Sequence, residues 1–169
     1  KLELSDGLEV INWLAAQSWC DGKIGMMGIS WGGFNSLQIA ELAPEPLKAI
    51  ITLCSTVDRY ADDIHYKGGC LLNENLGWGS TMWSYSSRPP DPMLVGDAWA
   101  NIWTQRLKAE PFLPIKWLKH QTRDNYWKHG SVCENYDGIQ SAVLAIGGWG
   151  DAYKNAVSHL VSNIKSPVK

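Results

Sequence analysis

No apolar run in these residues approaches the roughly 18–20 that a membrane-spanning helix needs. An excess of charge of one sign is missing as well. The 15 lysines and arginines against 17 acidic residues leave a net charge of −2, so nothing argues for nucleic acid or an anionic membrane as a partner. There are only 4 cysteines, and Cys20, Cys54, Cys70 and Cys133 show neither C-x-x-C pairing nor metal-ligand spacing. They read as small buried hydrophobes rather than disulfides or ligands. The absence of an N-x-S/T sequon argues against a secreted surface protein and favours the cytoplasm, without fixing the compartment. Internal repeats and low-complexity segments are absent too. What remains is a globular balance, 45% hydrophobic and 19% charged over 169 residues, enough for one domain with a sizeable core.

Tryptophan is abundant: there are 10, six of them between Trp78 and Trp127 and a seventh at Trp149. Large rigid aromatics concentrated in one region suggest a packed helical layer or an apolar ligand pocket. The first residue is not an initiator methionine, and the chain reads as a segment of a longer protein.

The N-terminal third alternates. Ser5-Asp6-Gly7 can start a helix carrying Leu8, Ile11, Trp13, Leu14 and Trp19 at near-helical spacing, broken at Cys20-Asp21-Gly22. Lys23–Ile29 is a short apolar run, the pattern of a buried strand. A second helix through Phe34, Leu37, Ile39 and Leu42 stops at Ala43-Pro44, and Leu47–Leu53 reads as another buried strand. The rhythm breaks at Asp58 and resumes with a strand over Ser141–Gly147 and a helix from Tyr153 to Ile164. It predicts an α/β fold with a parallel sheet, residues 1–57 and 138–169 forming the core and residues 58–137 an inserted helical cap.

Within the first of these junctions lies Gly28-Ile29-Ser30-Trp31-Gly32. A Gly-x-Ser-x-Gly match arises by chance on the order of 0.1 times in a chain this long, so the pattern matters only in context. Here the serine falls between a predicted strand and a predicted helix, where a nucleophile elbow belongs. A sharp turn there would expose the Ser30 hydroxyl, with Gly28, Gly32 and Gly33 allowing close strand–helix approach. The Trp31 backbone N–H would point to where an oxyanion forms. The bland alternative is a structural Gly-Ser turn.

A serine needs a base, and the base an orienting carboxylate. Gly147-Gly148-Trp149-Gly150-Asp151 follows the third predicted strand and offers Asp151 as that acid; an N-cap of the following helix is the competing role. The histidines fit less well. His159 is the one that follows Asp151, but eight residues into a helix carries it roughly 12 Å along the axis. His65, His120 and His129 lie in the insertion, out of chain order. The expected base lies beyond Lys169.

The phrases QSWCDGKIGMMGISWGGFNSLQIA, CSTVDRYADDIHYKGGCLLNENLGW and AVLAIGGWGDAYKNAV resemble the hydrolases related to X-Pro dipeptidyl-peptidase, cocaine esterase and α-amino acid ester hydrolase. The resemblance covers nearly the whole chain. It implies part of an α/β-hydrolase core, with the cap inserted between the sixth and seventh strands. It also implies that Ser30 is the nucleophile and Asp151 the triad acid. The histidine, a tyrosine oxyanion donor and a jelly-roll domain would then lie outside these residues, and the segment alone would be inactive. No cofactor or metal is called for.

The substrate expected is a small ester or short peptide, and homo-oligomerisation of the whole protein is left open. Asp62 and Asp63, in the acidic turn after the second strand, are candidates to receive a substrate ammonium; a salt bridge to Arg59 or Arg88 is the alternative. Trp31, Tyr66, Trp78 and Trp83 are candidate pocket aromatics. Two further readings are a catalytically silent scaffold with an aromatic groove and, on tryptophan count alone, a sugar-binding module.

Overall fold

The first helix, α1 (Leu2–Ala15), starts earlier than the sequence pattern predicts. Ser5 is not its cap: the Ser5 hydroxyl bonds back to the Leu2 carbonyl at 2.9 Å from within the helix. This is a computed structural model and describes residues 2–169. After α1 come β1 (Ile24–Ile29), α2 (Trp31–Glu41) and β2 (Leu47–Leu53), close to the predicted spans. The connection then leaves the sheet through a two-strand hairpin, β3 (Tyr66–Lys67) and β4 (Cys70–Leu71). Five helices follow: α3 (Glu74–Ser86), α4 (Pro92–Val95), α5 (Trp99–Ala109), α6 (Leu113–Leu118) and α7 (Asn125–Lys128). The chain re-enters at β5 (Ala142–Ile146) and ends on α8 (Ala156–Asn163).

The sheet has the order β1-β2-β5, all parallel. Its register aligns Met27, Ile51 and Leu144 in one row and Ile29, Leu53 and Ile146 in the next. Residues 167–169 begin to pair with the outer edge of β5, Val143 N–H donating to Pro167 O at 2.8 Å and Ala145 N–H to Lys169 O at 2.7 Å. Successive side chains in a strand point to opposite faces. One face therefore carries Ile50, Val143 and Ala145 into a core with Leu37, Ile39 and Ala40 of α2, Ile11 of α1 and Ala156 and Leu160 of α8. Met27, Ile29, Leu144 and Ile146 on the other face are exposed.

The stretch between β2 and β5 has its own core. Trp127 and Tyr66 are almost fully buried with Trp117, and Tyr60 stacks on Tyr66 at 4.6 Å between ring centroids. Its two ends are stitched side by side. Arg59 donates to the carbonyls of Tyr126 (2.9 Å) and His129 (2.7 Å) and lies over the rings of Tyr126 and Trp127. Arg123 bridges Asp58 at 3.1 Å and Glu134. Departure and return are thus adjacent, which lets a long insertion sit beside the sheet without opening it.

Candidate active site

Ser30 is the hinge between β1 and α2. Its backbone sits at φ 54°, ψ −113°, a left-handed conformation that costs a non-glycine residue about 1–3 kcal/mol. Two main-chain bonds hold it there: Ser30 N–H to Leu53 O at 2.8 Å and Phe34 N–H to Ser30 O at 2.9 Å. A Cβ on Gly28 would lie 2.3 Å from the Gly32 carbonyl carbon, and one on Gly33 would lie 2.8 Å from Thr52 Oγ1 and 2.9 Å from Gly28 O. A Cβ on Gly32 would meet nothing within 4 Å, so of the three glycines to which the sequence assigned the close approach, Gly28 and Gly33 carry it and Gly32 does not. The side chain of Ser30 is exposed. Trp31 opens α2, so its N–H is among the helix-start donors that lack an intrahelical partner and favour negative charge. The Trp31 indole leans on Phe34 at 5.4 Å and reaches Glu3 Oε1 at 3.3 Å.

Asp151 lies in the loop after β5. The competing role as helix cap is not realised: α8 starts at Ala156 with Asn155 at the N-cap position, later than the predicted Tyr153. Instead Asp151 Oδ1 accepts from the Tyr153 N–H at 2.7 Å while its own N–H donates to Gly148 O at 3.0 Å. Ser30 and the Asp151 loop both leave the carboxyl edge of the sheet, on either side of β2, because Ile29, Leu53 and Ile146 share one row. Two strand spacings, roughly 10 Å, separate the ends of β1 and β5.

Cys54 occupies the middle of that edge. It follows β2 at φ 46° and donates its N–H to Ile146 O at 2.9 Å. Partial burial first, then the neighbouring Asp151 carboxylate, pushes its thiol pKa up. Nothing in the sequence pattern singled it out.

The histidines are placed apart from this edge or engaged elsewhere. His65 is buried between the Trp117 and Trp127 rings, 4.5 and 4.9 Å away, with Nδ1 2.8 Å from Asn75 Oδ1. Burial pushes its pKa down to about 4. His120 Nδ1 is 2.6 Å from Asp124 Oδ2, His129 ends α7, and His159 stands exposed on α8.

The acidic turn is internally committed. Asp62 Oδ1 is 3.0 Å from Lys67 Nζ, neither of the arginine partners considered from sequence. Asp63 is buried, and burial raises its carboxyl pKa to about 6 against the opposing pull of the Ile64 N–H and the Arg59 charge. Burial, then the Asp63 and Asp151 carboxylates, pushes the Tyr153 phenol up. Tyr66, expected in a pocket, is 2% exposed and belongs to the aromatic core of the insertion instead; Trp78 is 40% exposed. Lys67 was missed, although Gly68-Gly69 is a hairpin-turn signal and both residues have positive φ, 55° and 85°. Among the described residues no cluster of His, Cys, Asp and Glu could hold a metal ion, and no helix is long and apolar enough to cross a membrane.

Residues 1–169 match the family described as X-Pro dipeptidyl-peptidase (S15 family). The chain is 27% identical to the cocaine esterase of Rhodococcus sp. (strain MB1 Bresler), over 88% of this chain and 30% of that protein. A CocE/NonD family hydrolase from Staphylococcus aureus superposes with a TM-score of 0.75 at 24% identity, over 98% of this chain and 27% of that one. An α-amino acid ester hydrolase superposes at 0.62 with 19% identity, over 98% and 31%. The fold is that of part of an α/β-hydrolase core, and the chain spans about 30% of the curated relative's length.

Proposed function

This chain belongs to the X-Pro dipeptidyl-peptidase (S15) family, and from that premise we propose that it carries the nucleophile and acid of a serine hydrolase cleaving an ester or amide bond. The observation that carries the reading is the strained bend at Ser30, φ 54°, with a carboxylate loop leaving the same sheet edge two strands away. Backbone strain of this size persists only where surrounding structure enforces it, and it clusters at working sites.

In the mechanism, the Ser30 hydroxyl attacks the carbonyl carbon of a small ester or short peptide. Its proton passes to a histidine outside the described residues, which Asp151 holds in the right tautomer and orientation. The oxyanion of the tetrahedral intermediate is held by the Trp31 N–H at the start of α2, one such donor being worth about 3–4 kcal/mol. Collapse expels the alcohol or amine, protonated by the imidazolium, and leaves an acyl group on Ser30. Water then repeats the cycle and releases the acid.

The test is labelling of the full-length protein with a fluorophosphonate probe, together with turnover of aryl esters and X-Pro amides. Wild type is expected to label, and Ser30→Ala to lose both the label and about 10⁴-fold or more in kcat. Equal labelling of Ser30→Ala would remove Ser30 from the mechanism. The substrate panel separates peptidase from esterase.

A further inference from the structure

The loop that carries Asp151 has little stiffness of its own. Gly147, Gly148 and Gly150 supply flexible backbone, Trp149 is 93% exposed, and regular helix resumes only at Ala156. Yet a triad acid must be held within about 0.5 Å of its working position. Part of the hold comes from a hairpin 85 residues away in sequence. Lys67 Nζ donates to the carbonyl of Ala152, the residue after Asp151, and is anchored 3.0 Å from Asp62 Oδ1. The N–H of that same peptide group, on Tyr153, donates to Asp151 Oδ1. The hairpin itself is stiff: Asp63 N–H donates to Tyr66 O at 3.0 Å, Gly68 N–H to Ala61 O at 2.8 Å, and Asp62 pairs with Lys67 in an antiparallel bridge.

We propose that Lys67 is a positioning residue, strapping the Ala152 carbonyl to Asp62 and so setting where Asp151 stands over the sheet edge. The proposal rests on the reading of Asp151 as triad acid. With 37% of the Lys67 side chain and 15% of Asp62 exposed, the strap contributes little to stability, as partly exposed ion pairs generally do. Its effect belongs in catalysis, where small displacements are expensive.

The experiment uses the full-length protein and an aryl ester substrate. Lys67→Met is expected to lower kcat about 10-fold, with KM unchanged within about 2-fold and the melting temperature nearly that of wild type. Lys67→Arg, which keeps charge and donors, is expected to recover most of kcat. If Lys67→Met does not fold, Lys67→Gln is read by the same criterion. Asp151→Asn is the reference and is expected to lose about 10⁴-fold in kcat. An inactive Asp151→Asn beside a Lys67→Met of wild-type kcat overturns the strap alone. A rise in KM at constant kcat overturns it too, because Lys67 would then be meeting substrate. Wild-type kcat in Asp151→Asn overturns the triad reading and the strap together.

Discussion

Asp63 and His65, two residues apart in one turn, are both buried and titrate in opposite senses. Burial raises the Asp63 carboxyl to about 6, so between pH 4 and 6 the folded chain holds a proton there that the unfolded chain has released. Its contribution to stability therefore falls as pH rises through that window, by at most about 3 kcal/mol. His65, lowered to about 4, costs stability in the other direction, as pH falls from about 6.5 to 4. Asp63→Asn removes only the first effect. Melting temperatures of wild type and Asp63→Asn are expected to be similar near pH 4 and to separate in favour of the variant by pH 7. A difference that stays constant with pH would assign the burial cost elsewhere. The sequence revealed that this turn is acidic. It did not reveal that one carboxylate would find Lys67 and the other would be sealed in beside Tyr153, since those partners arrive from other elements.

At the scale of elements, the β1–α2 junction was the most legible feature, because an apolar strand, a Gly-x-Ser-x-Gly bend and a helical pattern are all local signals. The steric roles within it are less evenly shared than the motif suggests. Gly28→Ala would drive a methyl into the Gly32 backbone and is expected to destabilise by about 2–3 kcal/mol. Gly32→Ala meets open space and is expected to be neutral or to stabilise by up to about 1 kcal/mol through helix propensity. Urea midpoints of the two variants check this, and equal losses would contradict it. Boundaries were less legible than elements. The α8 pattern overran by three residues at its start, where the chain makes the turn that frees Asp151 from a capping role. The β3–β4 hairpin was overlooked among the tryptophans, although Gly68-Gly69 announced it.

On the scale of the whole molecule, the sheet is covered on one face and bare on the other. Parallel sheets are normally covered on both. Here Met27 (69%), Ile29 (65%), Leu144 (38%) and Ile146 (43%) stand exposed in two adjacent rows, an apolar patch of the kind that binds dyes and other surfaces. The chain expressed by itself is expected to bind anilinonaphthalene sulfonate and to self-associate. Met27→Lys with Leu144→Lys, which flank Ile51, is expected to reduce both, followed by dye fluorescence and light scattering. Unchanged signals would place the sticky surface elsewhere, among the exposed aromatics of the insertion. The amino-acid order alone determined the alternating core, the bend at Ser30 and the acid-bearing loop after β5, because each is written within ten or so neighbouring residues. Only the tertiary structure decided that Asp151 faces the sheet edge instead of capping a helix, that Lys67 reaches its loop, and which sheet face lies open. Those outcomes depend on residues far apart in sequence being brought together by packing, which no local pattern encodes.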